Sequence, residues 1–458
     1  MPIRRPLPPH NDPVQSLNRS EWVYLACDPM LGSLAQPYVF RFEQHVGEAD
    51  VRAAVRRMIS AFPRLRAVLE PTRRRMQWRI LPDDKHMDQL FDLAFRVEHV
   101  ALDDAQAVLR WHELAANDPL PLQHGLGLRA QFVPHPQRPG LIFSVSHLLM
   151  DGRSMVHCVE SLMRLLNGKT IDDVPLATTS MLPAILPEHW WQWPGKLFKA
   201  WRHQRAQARE LQGYDVIHLP RMRSHHLTSL AVQHHQTGCD AKDLSALARS
   251  LGGSANSLLL AAIGTAMLET HGKGHKSAAL VRVGVDLRRY FPAESRPLLG
   301  NYVSVFDVLL PQSVPETERV RWVDARVRAG LARYDRREML LPLLLYEMLG
   351  WLRPHDYSRL IRRSWRLDLF PRLSCHATNV GSVDAFNEPD AQVRLSELYP
   401  IVGGIVPLLV LLVVNGQQVI VTSHQRDEYL DGDVQQMMGD VNGVLRRWLA
   451  SAISPMKG

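Results

Sequence analysis

At 458 residues the chain is longer than one ordinary hydrophobic core serves, so two domains are expected. Its 46% hydrophobic and 22% charged residues exclude global disorder. The net charge of +8, spread over that length, favours anionic partners only mildly, and no long Lys/Arg block or zinc-finger spacing points to nucleic acid.

The opening stretch MPIRRPLPPHNDP has no apolar core after its basic residues, so it reads as a proline-rich surface arm and not as a secretory signal. Within 49–70, Val51, Val55, Met58 and Ile59 recur at helical spacing, and Pro63 ends that helix. A second helix is expected over 103–117. Residues 127–133 and 141–147 read as strands on either side of the turn PHPQRPG. Then comes SHLLMDG, residues 146–152. Beyond it Met155, Cys158, Val159, Leu162, Met163 and Leu166 line one face of a helix that Asn167-Gly168 should stop. His147 therefore closes a strand and Asp151 opens a helix.

From 169 to 225 the pattern breaks into proline-rich pieces and a basic stretch, read as a crossover between two halves. Its segment HWWQWPGKLFKAWRHQRAQAR (189–209) sets Trp190, Trp191, Trp193, Leu197, Phe198 and Trp201 among Lys196, Lys199, Arg202, Arg205 and Arg209. Aromatic and basic residues on opposite sides of a helix suit an anionic membrane surface. A helix docked by its aromatic side onto one lobe is the other reading. The second half opens with a strand near 226–236 and a helix over 240–251. A strongly apolar helix follows over 254–272, with Ser254 as its cap.

Strands are expected at 278–285 and 302–310. The apolar run LLPLLLYEMLGWL (340–352) suits buried core or the lining of a lipid-chain tunnel. Ile401 to Val414 falls short of the roughly 20 residues of a membrane span and reads as a buried strand. Asn415-Gly416 then marks a hairpin, and a helix over 432–450 follows. Helices and strands mix throughout, so the fold class is α/β with two sandwich-like lobes. Cys27, Cys158, Cys239 and Cys375 lie far apart with no CxxC pair, which fits a reducing, cytoplasmic setting.

Several catalytic signatures fail. HELAAN (112–117) begins like a zinc-protease motif but lacks the second histidine, and GLGLRA (125–130) lacks the third glycine of a dinucleotide loop. Neither a GxSxG elbow nor a GxxxxGK[ST] loop occurs. His147 and Asp151 remain. A lone histidine is more often structural than catalytic. One exposed at a strand end, with a pKa near neutrality, can instead take a proton from an attacking alcohol or amine.

His147-x-x-x-Asp151-Gly152 between strand and helix resembles the HxxxD acyltransferase superfamily. That group includes chloramphenicol acetyltransferase-like enzymes, plant acyltransferases, peptide-synthetase condensation domains and the wax ester synthase/diacylglycerol acyltransferase branch. LAANDPLP (114–121), RAQFV (129–133), SANSLLLAAIGTAM (254–267), VGVDLRRY (283–290) and LLGNYVSVFDVLLP (298–311) resemble further stretches of these proteins, in order. ATNVGSV (377–383) and ELYPIV (397–402) resemble the C-terminal pattern of the wax ester synthase branch. Ser146 stands where that branch and the condensation domains usually have a first histidine.

The resemblance implies two chloramphenicol acetyltransferase-like lobes with the active site in a channel between them. The first lobe would span 1–180, the crossover 181–225 and the second lobe 226–458. It makes His147 the general base, has Asp151 salt-bridge Arg288, and has Gly152 keep the donor channel open. Asn379 would stand near the developing oxyanion, where a donor is typically worth about 3 kcal/mol; a turn role ahead of Gly381 is the alternative. Ser146 and Gly381 are channel candidates. His157 is expected as a surface or core residue, while His376 lies close to Asn379 in sequence.

The implied reaction moves an acyl group from a thioester, on coenzyme A or an acyl-carrier protein, to an alcohol, with no metal and no permanently bound cofactor. A lipophilic acceptor and peripheral contact with the inner face of the membrane go with the apolar segments. Amide synthesis by a free-standing condensation-type enzyme, or a non-catalytic relative that binds a carrier or lipid, are the alternatives.

Overall fold

Among the residues that the computed structural model describes (12–72, 75–177, 180–224, 227–339, 352–369 and 372–453), the strands sort into one small and two large sheets. The small sheet joins β1 (Val14–Ser16), β3 (Ala67–Pro71) and β4 (Met76–Ile80). The first large sheet contains β2 (Ala35–Phe42), β5 (Phe95–Val97), β6 (Leu128–Val133), β7 (Gly140–Ser146) and β13 (Leu395–Pro400). Its order is β13-β2-β7-β6-β5. All of β2, β6 and β7 is buried, so these strands carry no solvated polar face. Around this sheet lie α1 (Arg19–Leu31), α2 (Glu48–Ala61), α3 (Lys85–Ala94), α4 (Ala105–Asn117) and α5 (Gly152–Leu166). α2 packs on α5, and α4 packs on β2.

After α6 (Leu182–Ile185) and the crossover helix α7 (Trp193–Gln212), the second large sheet begins. Its strands are β8 (Asp215–Val216), β9 (Leu230–Asp240), β10 (Ser277–Asp286), β11 (Val303–Pro311), β12 (Cys375–Ser382), β14 (Leu408–Val414) and β15 (Gln417–Gln425). They run β11-β10-β12-β14-β15-β9, with β8 beside the start of β10. Helices α8 (Ala241–Ser250), α9 (Ala255–His271), α10 (Arg319–Asp335) and Asp431–Ile453 belong to this half. α9 is buried continuously from Ser257 to Leu268, which its all-round apolar composition requires.

The run Leu408–Val414 explains how the halves join. Successive strand residues point to opposite faces. Leu408, Val410 and Leu412 enter the core of the first lobe, whereas Leu409 and Leu411 pack with α9 and the helix Asp431–Ile453. Both faces are covered, so no polar position is tolerated. The first sheet in turn takes β13 from late in the chain, which pairs antiparallel with β2 and sets Tyr399 opposite Val39.

Most expected elements are present within one to four residues at either end. Ser254 Oγ accepts from Ser257 N at 3.2 Å as the cap of α9. Asn415 and Gly416 both have positive φ, 50° and 72°, as the tight hairpin requires. The expected strand over 401–414 is shorter: pairing in the second sheet starts at Leu408, because Gly403, Gly404 and Pro407 interrupt the run. Residues 340–351 of the apolar run 340–352 lie outside the described residues. Among those described, no single helix is long and apolar enough to cross a membrane.

The crossover helix departs from both expectations for it. Its aromatic and basic residues do not oppose each other, and within 189–209 docking by large apolar side chains is confined to half-buried Trp193 and to Leu197, which packs against the core of the second lobe. Trp190, Trp191, Phe198 and Trp201 are 75%, 61%, 59% and 43% exposed, and Ala200 is the one fully buried residue of α7. Arg205 stacks on Trp201 at 4.6 Å, so cation and aromatic share the outward face. Lys199 turns inward to Glu338, and Lys196 bonds the Arg336 carbonyl. Arg202, Arg205 and Arg209 make no ion pair among the described residues.

Candidate active site

β7 ends at Ser146 and the chain reverses at once. Leu149 N and Met150 N both donate to the Ser146 carbonyl, at 2.9 and 3.2 Å. Leu148, Leu149 and Met150 are fully buried, which pins the turn by its apolar side chains. His147 N donates to Leu34 O at 2.7 Å, tying the turn to the segment after α1. The imidazole Nδ1 lies 3.0 Å from the Met150 carbonyl, which only accepts, so Nδ1 carries the proton. Nε2 is left with its lone pair and makes no hydrogen bond among the described residues. Gln36 donates to the same Met150 carbonyl at 2.6 Å, and Arg64 donates to Leu149 O at 3.3 Å. Asn301 Nδ2 holds His147 O at 2.6 Å, and the ring packs on Tyr24 with centroids 4.1 Å apart.

The ring is not exposed, as a strand-end histidine was expected to be. His147 is 7% exposed, and burial lowers its pKa below the usual histidine value although the Asp151 charge opposes this. At neutral pH it is therefore a neutral imidazole with one fixed tautomer.

Asp151 turns its oxygens away from His147. As the cap of α5 its Oδ1 accepts from Ser154 N at 2.9 Å, while Oδ2 accepts from Tyr302 N at 2.8 Å and from Arg288 Nη1 at 2.8 Å. Arg288 also donates to Asp286 at 3.0 Å, Ser154 Oγ at 2.7 Å, Gly300 O at 2.9 Å and Leu298 O at 3.2 Å. Burial alone would raise the Asp151 pKa. The Arg288 charge and these hydrogen bonds outweigh it and hold the carboxyl below its usual range. The pair joins the start of α5 to the chain between β10 and β11, so it fastens one lobe to the other beside His147.

The remaining candidates divide. A methyl group at Gly152 would meet only Tyr38 Oη, at 3.7 Å, so the space beside the turn is open there. Ser146 is 2% exposed and its hydroxyl accepts from Leu148 N at 3.2 Å, so it caps its own turn and offers no channel surface. Asn379 makes no hydrogen bond to His147 among the described residues. Its Oδ1 accepts from Gly381 N at 2.8 Å and its Nδ2 donates to Asn256 at 3.1 Å, bracing a bulge in β12. Gly381 adopts φ +89° there; a side chain would meet nothing within 4 Å, so the backbone angle and not crowding explains the glycine. His157 packs on Phe62 at 5.5 Å. His376, also on β12, is buried: burial, with smaller contributions from Arg282 and His147, lowers its pKa to about 4. Its Nε2 is buried without a partner.

No family model matches the chain, and no curated protein matches it significantly. Solved structures do. The trichothecene 15-O-acetyltransferase of Fusarium sporotrichioides superposes with TM-score 0.67 at 11% identity, covering 98% of this chain and 99% of its own. The first condensation domain of the calcium-dependent antibiotic synthetase, in complex with a substrate analogue, gives TM-score 0.68 at 14% identity, with 96% and 97% covered. The epimerization domain of tyrocidine synthetase B gives 0.58 at 13%, with 98% and 99% covered. At such identities the likeness is one of fold. In fold, then, the chain is a two-lobed α/β protein of the acyltransferase and condensation-domain kind, as the stretch His147-x-x-x-Asp151-Gly152 led one to expect.

Proposed function

We propose that the protein is an acyltransferase that moves an acyl group from a thioester to an alcohol, with His147 as general base. One observation carries this reading. Nδ1 of His147 is anchored on the Met150 carbonyl, which leaves Nε2 neutral, oriented and unengaged. In the proposed step Nε2 takes the proton of the acceptor hydroxyl while its oxygen bonds to the thioester carbonyl carbon. The tetrahedral adduct then expels the thiolate, which recovers the proton from the imidazolium. Burial that disfavours the imidazolium favours its prompt return of that proton. Asp151 and Arg288 are positioning residues, holding the turn that aims the ring. Asn379, engaged on both sides of its amide, is given no part in stabilising the oxyanion.

The donor is coenzyme A or a carrier-protein thioester, and the similarity to condensation domains supports the second. An oxygen acceptor is supported by the fold's similarity to an O-acetyltransferase. Attack by an amine, or carrier binding without turnover, are the competing outcomes. A purified sample mixed with an acyl thioester decides among these. Thiol released only with an alcohol present supports ester formation, release with amines alone supports amide synthesis, and binding without release leaves a non-catalytic relative. The exposed aromatics and arginines around α7 favour a second element of the reading: peripheral docking on an anionic membrane, with the acceptor drawn from it.

A further inference from the structure

A cavity of about 620 Å³ lies between α7, the edge of the second large sheet and α10. Its size is that of a small-molecule site. Part of the wall belongs to β11, whose preceding residues serve the candidate active site: Asn301 holds His147 O, and Tyr302 N bonds Asp151. Three residues on, Ser304 lines the cavity, and Asp307 lines it six residues on. At about 3.3 Å per residue the β11 part of the wall starts about 10 Å from Asn301 and, with Leu309, extends to about 26 Å. Arg282, also in the wall, is the strand partner of His376, which the fields of Arg282 and His147 both reach.

The charges of this cavity are unequally matched. Arg282 pairs with Asp307 at 2.8 Å, and Arg326 pairs with Glu210 at 2.6 Å. Arg333 differs: its side chain makes no hydrogen bond or ion pair among the described residues, and its Nε is buried without a partner. Burial lowers its pKa, against the pull of Tyr334 and Glu338. Holding a cation there without an anion is costly, and a planar guanidinium is suited to grip a carboxylate or phosphate with two bonds.

We propose that this cavity binds the anionic end of a substrate, a phosphate or a carboxylate, and that Arg333 recognises it. The identity of the ligand as a substrate rests on the acyl-transfer reading, since it requires the other end to reach His147; the anion site itself does not. The substrate class is thus a molecule with a negative group at one end and its reacting atom at the other.

Calorimetric titration with inorganic phosphate at low ionic strength tests the site. Wild type should bind, Arg333→Gln should weaken binding at least about tenfold, and Arg333→Lys should recover part of it. His147→Ala should bind phosphate as wild type does, which keeps failure of the acyl-transfer reading apart from failure of this one. Arg333→Gln should keep or raise the Tm, because it removes a half-buried cation whose side chain has no partner among the described residues. Comparing coenzyme A with pantetheine then identifies the source. If the advantage of coenzyme A disappears in Arg333→Gln, the anion is the donor's phosphate; if it persists while phosphate binding is lost, the anion belongs to the acceptor. Equal phosphate binding in wild type and Arg333→Gln, or none in wild type, overturns the proposal.

Discussion

The turn at His147 and the crossover helix α7 mix polar and large apolar residues in similar measure, yet the fold treats them oppositely. At the turn, Ser146, His147 and Asp151 are buried, and the oxygens of Asp151 are matched by Ser154, Tyr302 and Arg288. Around α7, four large aromatics stand in solvent beside arginines that meet no carboxylate among the described residues. Burial with full hydrogen bonding costs much to assemble and fixes a geometry. Exposed aromatics cost little to the fold but contribute nothing to it either. Substitutions at the turn should therefore damage stability or chemistry, and those around α7 only association.

The largest effect is expected at the base. His147→Ala should lower acceptor-dependent thiol release by at least about 10²-fold, the usual span for a positioned base. Near-normal turnover in the purified variant would remove His147 from the chemistry. The wild-type rate should fall as pH drops through the His147 pKa, since the base must be neutral. Burial sets that pKa below the ordinary value of about 6.5, so the acid limb should lie lower as well. A limb above that value means the ring is open to water, contrary to its burial.

Asp151→Asn should act on stability first. Breaking one partner of a buried pair costs about 3–5 kcal/mol, and both side chains here are at most 6% exposed. Arg288→Met should cost a similar amount, and the double variant should cost less than their sum, with coupling read by denaturant titration. Additive losses would show that the two act independently. The pH dependence follows from the depressed Asp151 pKa. Its unfolded value is about 3.9, so the stabilisation is fully present above that pH and is lost as pH falls through the folded value.

How much of this was legible in the sequence differs with the range of the interactions. Local signals carried far: the cap at Ser254, the stop at Gly168 and the hairpin at Asn415-Gly416 each depend on a few adjacent residues. The Asp151–Arg288 pair, 137 positions apart, was reached through resemblance and not through spacing. Gln36, Arg64 and Tyr24, which help hold the His147 turn, carried no signal, because each lies in an unremarkable run and acquires its partner only through folding; Asn301 lay in a resembling stretch, but its bond to His147 O did not show there. Burial of His147 was missed for the same reason. A strand end is exposed by default, and here Tyr24 from α1 covers it. For Asn379 the turn reading ahead of Gly381 was legible because it is local, whereas its amide partner Asn256, 123 residues away, was not. The loss of aromatic docking around α7 was hidden because a run of tryptophans reads alike whether its face is covered or bare.

The smallest effect, and the one that tests the other side of the comparison, belongs to α7. Replacing Trp190, Trp191 and Trp201 by Ser should leave the Tm close to that of wild type, because these rings are 75%, 61% and 43% exposed. A substantial fall in Tm would mean that the aromatics are packed after all. The same variant should lose sedimentation with vesicles rich in anionic lipid. Arg202, Arg205 and Arg209 should add about 1 kcal/mol each near such a surface, screened over a Debye length of about 8 Å. Binding by wild type should therefore weaken steeply from low to high salt, and replacing the three arginines by Gln should abolish the salt dependence while sparing the fold. Wild type that never sediments with anionic vesicles at low salt removes the membrane. The bare aromatic face would then need another cover, and the contrast with the sealed turn at His147 would hold for stability alone.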